Sequence, residues 1–152
     1  MGYNGGVPET VSERVALAFL FAIETAMRSG EILALEWREV GEKSVTLKAT
    51  KNGDVRRVPM TARAREIVAL LPRTERPVFD LDGGSRDALF RRARDAAGIT
   101  DLHFHDSRAE AIWRLSKRLD VLELARVIGH RDLKSLMFYY DADADELADR
   151  LG

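Results

Sequence analysis

The stretch that most limits how this chain can fold is VALAFLFAI, nine consecutive apolar residues from Val15 to Ile23. It is well short of the roughly 20 residues a membrane-spanning helix needs. Thr10, Val11, Ser12 and Glu13 in front of it have the form of a capping box, which predicts a helix over 11–27. That helix is apolar nearly all round and must be covered on every side. The remaining chain is therefore expected to wrap it, and 152 residues suffice for one such core. No linker or internal repeat divides the sequence. The absence of cysteine excludes a disulfide framework and a thiolate metal site, as fits an intracellular, cytoplasmic protein. Residues 1–8 are glycine-rich and uncharged, unlike a signal peptide.

Ser29 is a candidate cap for a short helix over 30–36. Two segments that alternate toward β-branched and apolar residues, 44–49 and 54–60, flank Asn52-Gly53, a strong hairpin signal that displays Lys51 at the tip. Further helices are expected over 62–71 and 86–97, the latter stopped by Gly98, with an extended segment or short strand over 77–81 between them. His105, Asp106, Ser107 and Arg108 start a helix reaching 115. Asp120 caps another over 121–128, ended by Gly129. The fold class is mainly α (α+β), with a small antiparallel sheet.

Net charge is −1, which by itself exerts no pull toward nucleic acid. Its distribution is uneven. Lys48, Lys51, Arg56, Arg57, Arg63 and Arg65 stand against Asp54 alone, and Arg86, Arg91, Arg92 and Arg94 against Asp87 and Asp95. Arg56 and Arg57 are candidate DNA contacts, with solvated surface the plain alternative. Arg28 falls between two buried helices, where an unpaired guanidinium is costly. Glu31, three residues on, is its obvious partner. His105 and Arg108 lie at i and i+3 on a helix start, whose free N–H groups and dipole attract anions. Capping by Asp106 beside a surface arginine explains the same residues without a ligand.

Near the end stands IGHRDLKSLMFYY, residues 128–140. Leu133, Leu136, Met137 and Tyr140 have the spacing of one buried helical stripe. Tyr139 is rotated about 110° from its centre, at 100° per residue, and is the freer tyrosine to meet a substrate. Phe138 also lies off the stripe and is a candidate contact with a partner subunit. A last helix over 144–151 carries the acidic cluster. Two arginines for a bidentate hold on phosphate, a hairpin lysine, two histidines and an accessible tyrosine would suffice for phosphoryl transfer, which depends on positioning and charge stabilisation.

TAMRSGEILALEW (25–37), TKNGDVRRVPM (50–60), HDSR (105–108) and IGHRDLKSLMFYY, in this order and spacing, resemble the catalytic domain of the tyrosine recombinases, the phage integrase family. The resemblance implies that fold, and site-specific cleavage and rejoining of double-stranded DNA through a 3′-phosphotyrosyl intermediate at Tyr139. It implies that Arg28 and Arg108 hold the nonbridging oxygens with His130 as a further donor. Glu31 supports Arg28, Lys51 protonates the leaving oxygen, and His105 takes the proton from Tyr139. No metal or other cofactor and no membrane enters this chemistry. Four protomers would act on DNA, with the isolated chain a monomer or weak oligomer. The family's amino-terminal DNA-clamping domain has no counterpart here, so a fragment of a longer enzyme is expected. Ala109 stands where the family often has histidine, and Ser107 where it often has an apolar residue. Two other readings share many of these features: a noncatalytic DNA-binding or assembly remnant of a prophage integrase, which would form no covalent adduct, and strand passage of the type IB topoisomerase kind. A metal site of His103, His105 and His130 is disfavoured because alternating residues point apart and no carboxylate has ligand spacing.

Overall fold

The computed structural model describes residues 6–48, 55–129 and 133–152. Its centre is the apolar helix, α1 (Val11–Thr25), in which Val15, Leu17, Ala18, Phe21 and Ala22 are wholly buried. The capping box forms as its sequence predicts: Glu13 N–H donates to Thr10 Oγ1 at 3.1 Å, and the Thr10 N–H to Glu13 Oε2 at 3.4 Å. The helix ends two residues before the expected Met27 because Ala26 turns left-handed, at φ 59°. Thr25 holds that turn by donating its hydroxyl to Phe21 O at 2.8 Å and accepting the Met27 N–H at 3.3 Å.

The next helix, α2 (Ser29–Ala34), starts one residue earlier than expected and is not capped by Ser29. Instead the Arg28 N–H donates to Glu31 Oε1 at 2.9 Å, so a carboxylate inside the first turn ties down its own entrance. A 3-10 turn, Trp37–Glu39, leads to the hairpin β1 (Ser44–Leu47) and β2 (Arg56–Pro59), paired antiparallel with Val45 opposite Val58 and Leu47 opposite Arg56. Lys51, Asn52 and Gly53 lie outside the described residues. Alternation along β2 buries Arg56 and Val58 and exposes Arg57 and Pro59.

Thr61 caps α3 (Ala62–Leu70) and also donates its hydroxyl to Glu24 Oε2 at 2.8 Å, fastening α3 to α1. The segment 77–81 forms no strand; Val78 N–H bonds Leu35 O at 2.8 Å while Val78 and Phe79 enter the core. α4 (Gly83–Ala96) begins three residues before the expected Arg86 because Asp82 accepts the Ser85 N–H at 2.7 Å. Phe19, Phe90 and Phe104 meet with ring centroids 5.0 to 5.6 Å apart, joining α1, α4 and the turn that follows. α5 (Asp106–Ser116) and α6 (Val121–Ile128) complete the packing, α6 against β2 and α5.

The terminal elements are α7 (Lys134–Met137), a single turn, and α8 (Ala144–Leu151). The expected buried stripe is only partly realised: Leu136 is buried, but Leu133 and Met137 are exposed, since one turn does not present a continuous face. α8 buries no residue. Among the described residues no helix is long and apolar enough to cross a membrane. The observed architecture is mainly helical with a two-stranded antiparallel sheet.

Leu17→Ala removes a wholly buried side chain from α1 and should cost about 2–5 kcal/mol of unfolding free energy in urea. Leu151→Ala, on a residue 88% exposed, should stay within about 0.5 kcal/mol of the parent.

Candidate active site

Two helices end at the same place. Ala26 at the end of α1 and Gly129 at the end of α6 are both left-handed, with φ 59° and 71°. Between these ends Arg108, on the first turn of α5, turns inward and is only 7% exposed. Its Nη1 donates to Ala26 O, and its Nη2 to Ile128 O at 3.1 Å. The guanidinium thus sits on two helix carboxyl ends, where partial negative charge favours a cation. Arg28, three residues beyond the end of α1, is exposed, and its charge is near enough to act on Arg108.

The expected pairing of Arg28 with Glu31 is redistributed. Glu31 receives Arg28 through its backbone N–H and takes its ion pair from Arg56, Nη2 to Oε1 at 2.8 Å. Arg56 is 7% exposed and engaged there, so it does not lie on the surface as a DNA contact would; Arg57, its neighbour on the outer face of β2, is exposed. The sequence signal for this was the alternation that puts Arg56 on the same face as Val58 and Met60.

Three guanidinium groups and one carboxylate therefore share this region. Burial pushes the Arg108 guanidinium down to about 10, with the charges of Arg28 and Arg56 pushing the same way and Glu31 opposing them. Burial also pushes the Glu31 carboxyl up, but the Arg56 hydrogen bond, the Arg28 N–H and the charges of both arginines outweigh it and hold it below the usual value. Among the described residues this sets three positive charges against one negative, an excess that an anion would offset.

His105 precedes α5 in helical conformation and is exposed. It lines a hollow of about 320 Å³ with Ser29, Arg86, Arg91, Arg94 and His103. Arg86 and Arg94 are paired with Asp87 and Asp95 at 2.9 and 3.0 Å. The start of α5 differs from expectation in one respect. The N–H groups of Asp106, Ser107 and Arg108 donate to the carbonyls of His103, Phe104 and His105 at 3.0, 3.1 and 3.0 Å. They are not free for an anion, so any hold on phosphate falls to side chains.

The two tyrosines divide as the sequence suggests, though by hydrogen bonding more than by burial. Both are half-buried against the core. Tyr140 donates its hydroxyl to Leu119 O at 2.6 Å, and burial together with Asp120 and Glu123 raises its pKa. Tyr139 has no hydrogen-bond partner for its hydroxyl among the described residues. It lines a hollow of about 480 Å³ with Phe19, Ile23, Ser107 and Trp113; Leu102 is a wall common to this hollow and the His105 hollow. Phe138, 81% exposed, stacks edge-on against Tyr139 at 5.4 Å. Lys51 and His130 lie outside the described residues. Among the described residues no three His, Asp or Glu side chains converge as metal ligands.

The phage integrase family model matches residues 6–146. A Haemophilus influenzae protein named as an integrase/recombinase is 41% identical, over 94% of this chain and 49% of its own length. A shufflon-specific DNA recombinase of Escherichia coli is 40% identical over 88% and 36%. The chain thus spans half or less of the length of these relatives. In fold it is similar to the catalytic domain of bacteriophage HP1 integrase, with TM-score 0.69 and 19% identity over 96% of this chain and 92% of that one. XerH site-specific recombinase bound to its difH substrate gives a TM-score of 0.70 at 20% identity, over 95% of this chain and 48% of that one.

Two outcomes follow from the ion pair and the tyrosines. Glu31 has a folded-state pKa below its ordinary 4.5, so the pair's stabilisation is complete above that value and disappears as pH falls through the lowered one. Glu31→Gln leaves a buried guanidinium unpaired and should cost about 3 kcal/mol at neutral pH. Its melting temperature should also fall less than the parent's between neutral and acidic pH. Tyr140→Phe frees the Leu119 carbonyl and should lower stability by about 1 kcal/mol in urea, with Tyr139→Phe closer to the parent.

Proposed function

The chain belongs to the phage integrase family, the tyrosine recombinases, and from that premise we propose that it is the strand-cleaving and rejoining part of a site-specific DNA recombinase, with Tyr139 as nucleophile. The observation that best supports this reading is the buried Arg108, seated on the ends of α1 and α6 beside Arg28 in a region with excess positive charge. A scissile phosphate placed there would receive two guanidinium groups on its nonbridging oxygens, the bidentate geometry for which arginine is suited.

In the proposed reaction the Tyr139 hydroxyl attacks phosphorus and its proton passes to His105. The bond from phosphorus to the 5′ oxygen breaks, and that oxygen leaves with the electron pair and takes a proton from Lys51, giving a 5′-hydroxyl. The product is a 3′-phosphotyrosyl ester, so the phosphodiester energy is kept and a 5′-hydroxyl from another strand can reverse the step. Arg28, Arg108 and His130 stabilise charge on the equatorial oxygens. This chemistry draws on side chains alone and needs neither a metal nor a nucleotide.

Double-stranded DNA is the proposed substrate; among the solved structures similar in fold, the Tn1549 transposon integrase is in complex with circular intermediate DNA and XerH is bound to its difH substrate. The exposed Arg57, together with Arg91 and Arg92 on α4, supplies cations for its backbone. Strand exchange requires several active tyrosines, and a homotetramer assembled on DNA is proposed, with the exposed Phe138 a candidate contact between protomers.

The test is trapping. Incubated at low salt with a pool of nicked duplexes of randomised sequence, the protein should form an SDS-resistant DNA adduct that survives EDTA. Tyr139→Phe should abolish it and Tyr140→Phe should retain it. Arg108→Ala should slow it by about 10²-fold or more, the scale of losing one preorganised charge-stabilising group. DNA binding without any adduct would instead identify a noncatalytic module, and inhibition by EDTA would refute a side-chain-only mechanism.

A further inference from the structure

Arg56 stands in the basic stretch of the sequence, yet it faces inward and is 7% exposed. Its neighbours explain why an arginine is there. On one side Nη2 bonds Glu31 Oε1 at 2.8 Å, and that same oxygen accepts the Arg28 N–H at 2.9 Å. On the other side the guanidinium approaches the end of α6 at Gly129. A Cβ built on Gly129 would come within 2.9 Å of both Arg56 Cδ and Arg56 Nη1, so a side chain there would have to displace the Arg56 guanidinium from its place. One residue before Gly129, Ile128 O is the acceptor that holds Arg108.

We propose that Arg56 is a positioning residue: clamped between the Glu31 carboxylate and the backbone at Gly129, it fixes Arg28 and Arg108 relative to each other. Two routes run from it. Through Glu31 it reaches the backbone of Arg28, and through Gly129 and Ile128 O it reaches the guanidinium of Arg108. In the chain it comes five positions after Lys51, and it touches Gly129, the residue before His130. A planar fork meets both neighbours at once, which the point charge of a lysine does only in part. The consequence for chemistry rests on the phosphoryl-transfer reading above; the clamp itself is a property of the ligand-free protein.

Amide spectra of the ligand-free chain, followed by titration with inorganic phosphate at low ionic strength, test this for Arg56→Met, Arg56→Lys and Glu31→Gln. Arg56→Met should move the amide resonances of both Arg28 and Gly129, on separate elements, while leaving α8 unperturbed. Its phosphate affinity should fall at least about tenfold, the equivalent of one charge-assisted hydrogen bond, and Arg56→Lys should recover part of that loss. Glu31→Gln supplies a test of sign. Removing a negative charge beside a phosphate site would by Coulomb attraction alone tighten binding, whereas loss of the clamp weakens it. Unmoved Arg28 and Gly129 amides in Arg56→Met, or tighter phosphate binding by Glu31→Gln, would overturn the proposal. If Arg56→Met does not fold, the same amides in Arg56→Lys and Glu31→Gln decide. Should the parent bind no phosphate while the amides still respond, the clamp stands and the phosphate-site reading falls.

Discussion

A guanidinium taken out of water must be surrounded by acceptors, and Arg108 meets that demand without a carboxylate of its own. Its acceptors are the carbonyls that close α1 and α6. For both to face one side chain, the two helices must end at the same place, and each does so through a left-handed residue, Ala26 or Gly129. The rest of the structure follows from this convergence. α5 must lie across α1 to deliver Arg108. β2 must lie under α6 to support its end, and the chain leaving α1 must place Arg28 beside the same opening.

The arrangement has a cost that a purely structural core would avoid. Ala26 adopts a conformation that glycine reaches more easily, a strain on the order of 1 kcal/mol. Three arginines crowd one glutamate, and burial depresses the Arg108 pKa. An anion entering such a region would offset its excess of positive charge.

Much of this was legible in the sequence. The all-apolar run Val15 to Ile23 fixed a central helix, and the Thr10, Asp120 and Gly129 signals placed helix ends to the residue, because capping is decided within one turn. The motifs around Arg28, Arg108 and Tyr139 were legible too, and the structure brings Arg28 and Arg108 together. What the sequence left open were choices between equivalent partners. Glu31 has Arg28 three residues away and Arg56 twenty-five away, and the distant one wins because strand alternation drives it inward. Around α7 the periodicity predicts a buried face, but one turn of helix buries only Leu136 of it. The 3-10 geometry that occupies the N–H groups at the start of α5 has no sequence signature at all.

If the arginines form a seat for a phosphoryl group within reach of Tyr139, they should also seat orthovanadate, which adopts the five-coordinate geometry of phosphoryl transfer. A crystal structure of the chain with orthovanadate should then show vanadate held by the guanidinium groups of Arg28 and Arg108 with the Tyr139 oxygen as an apical ligand. Vanadate bound elsewhere, for example among Arg86, Arg91 and Arg94 with the Arg28 and Arg108 groups unoccupied, would contradict it.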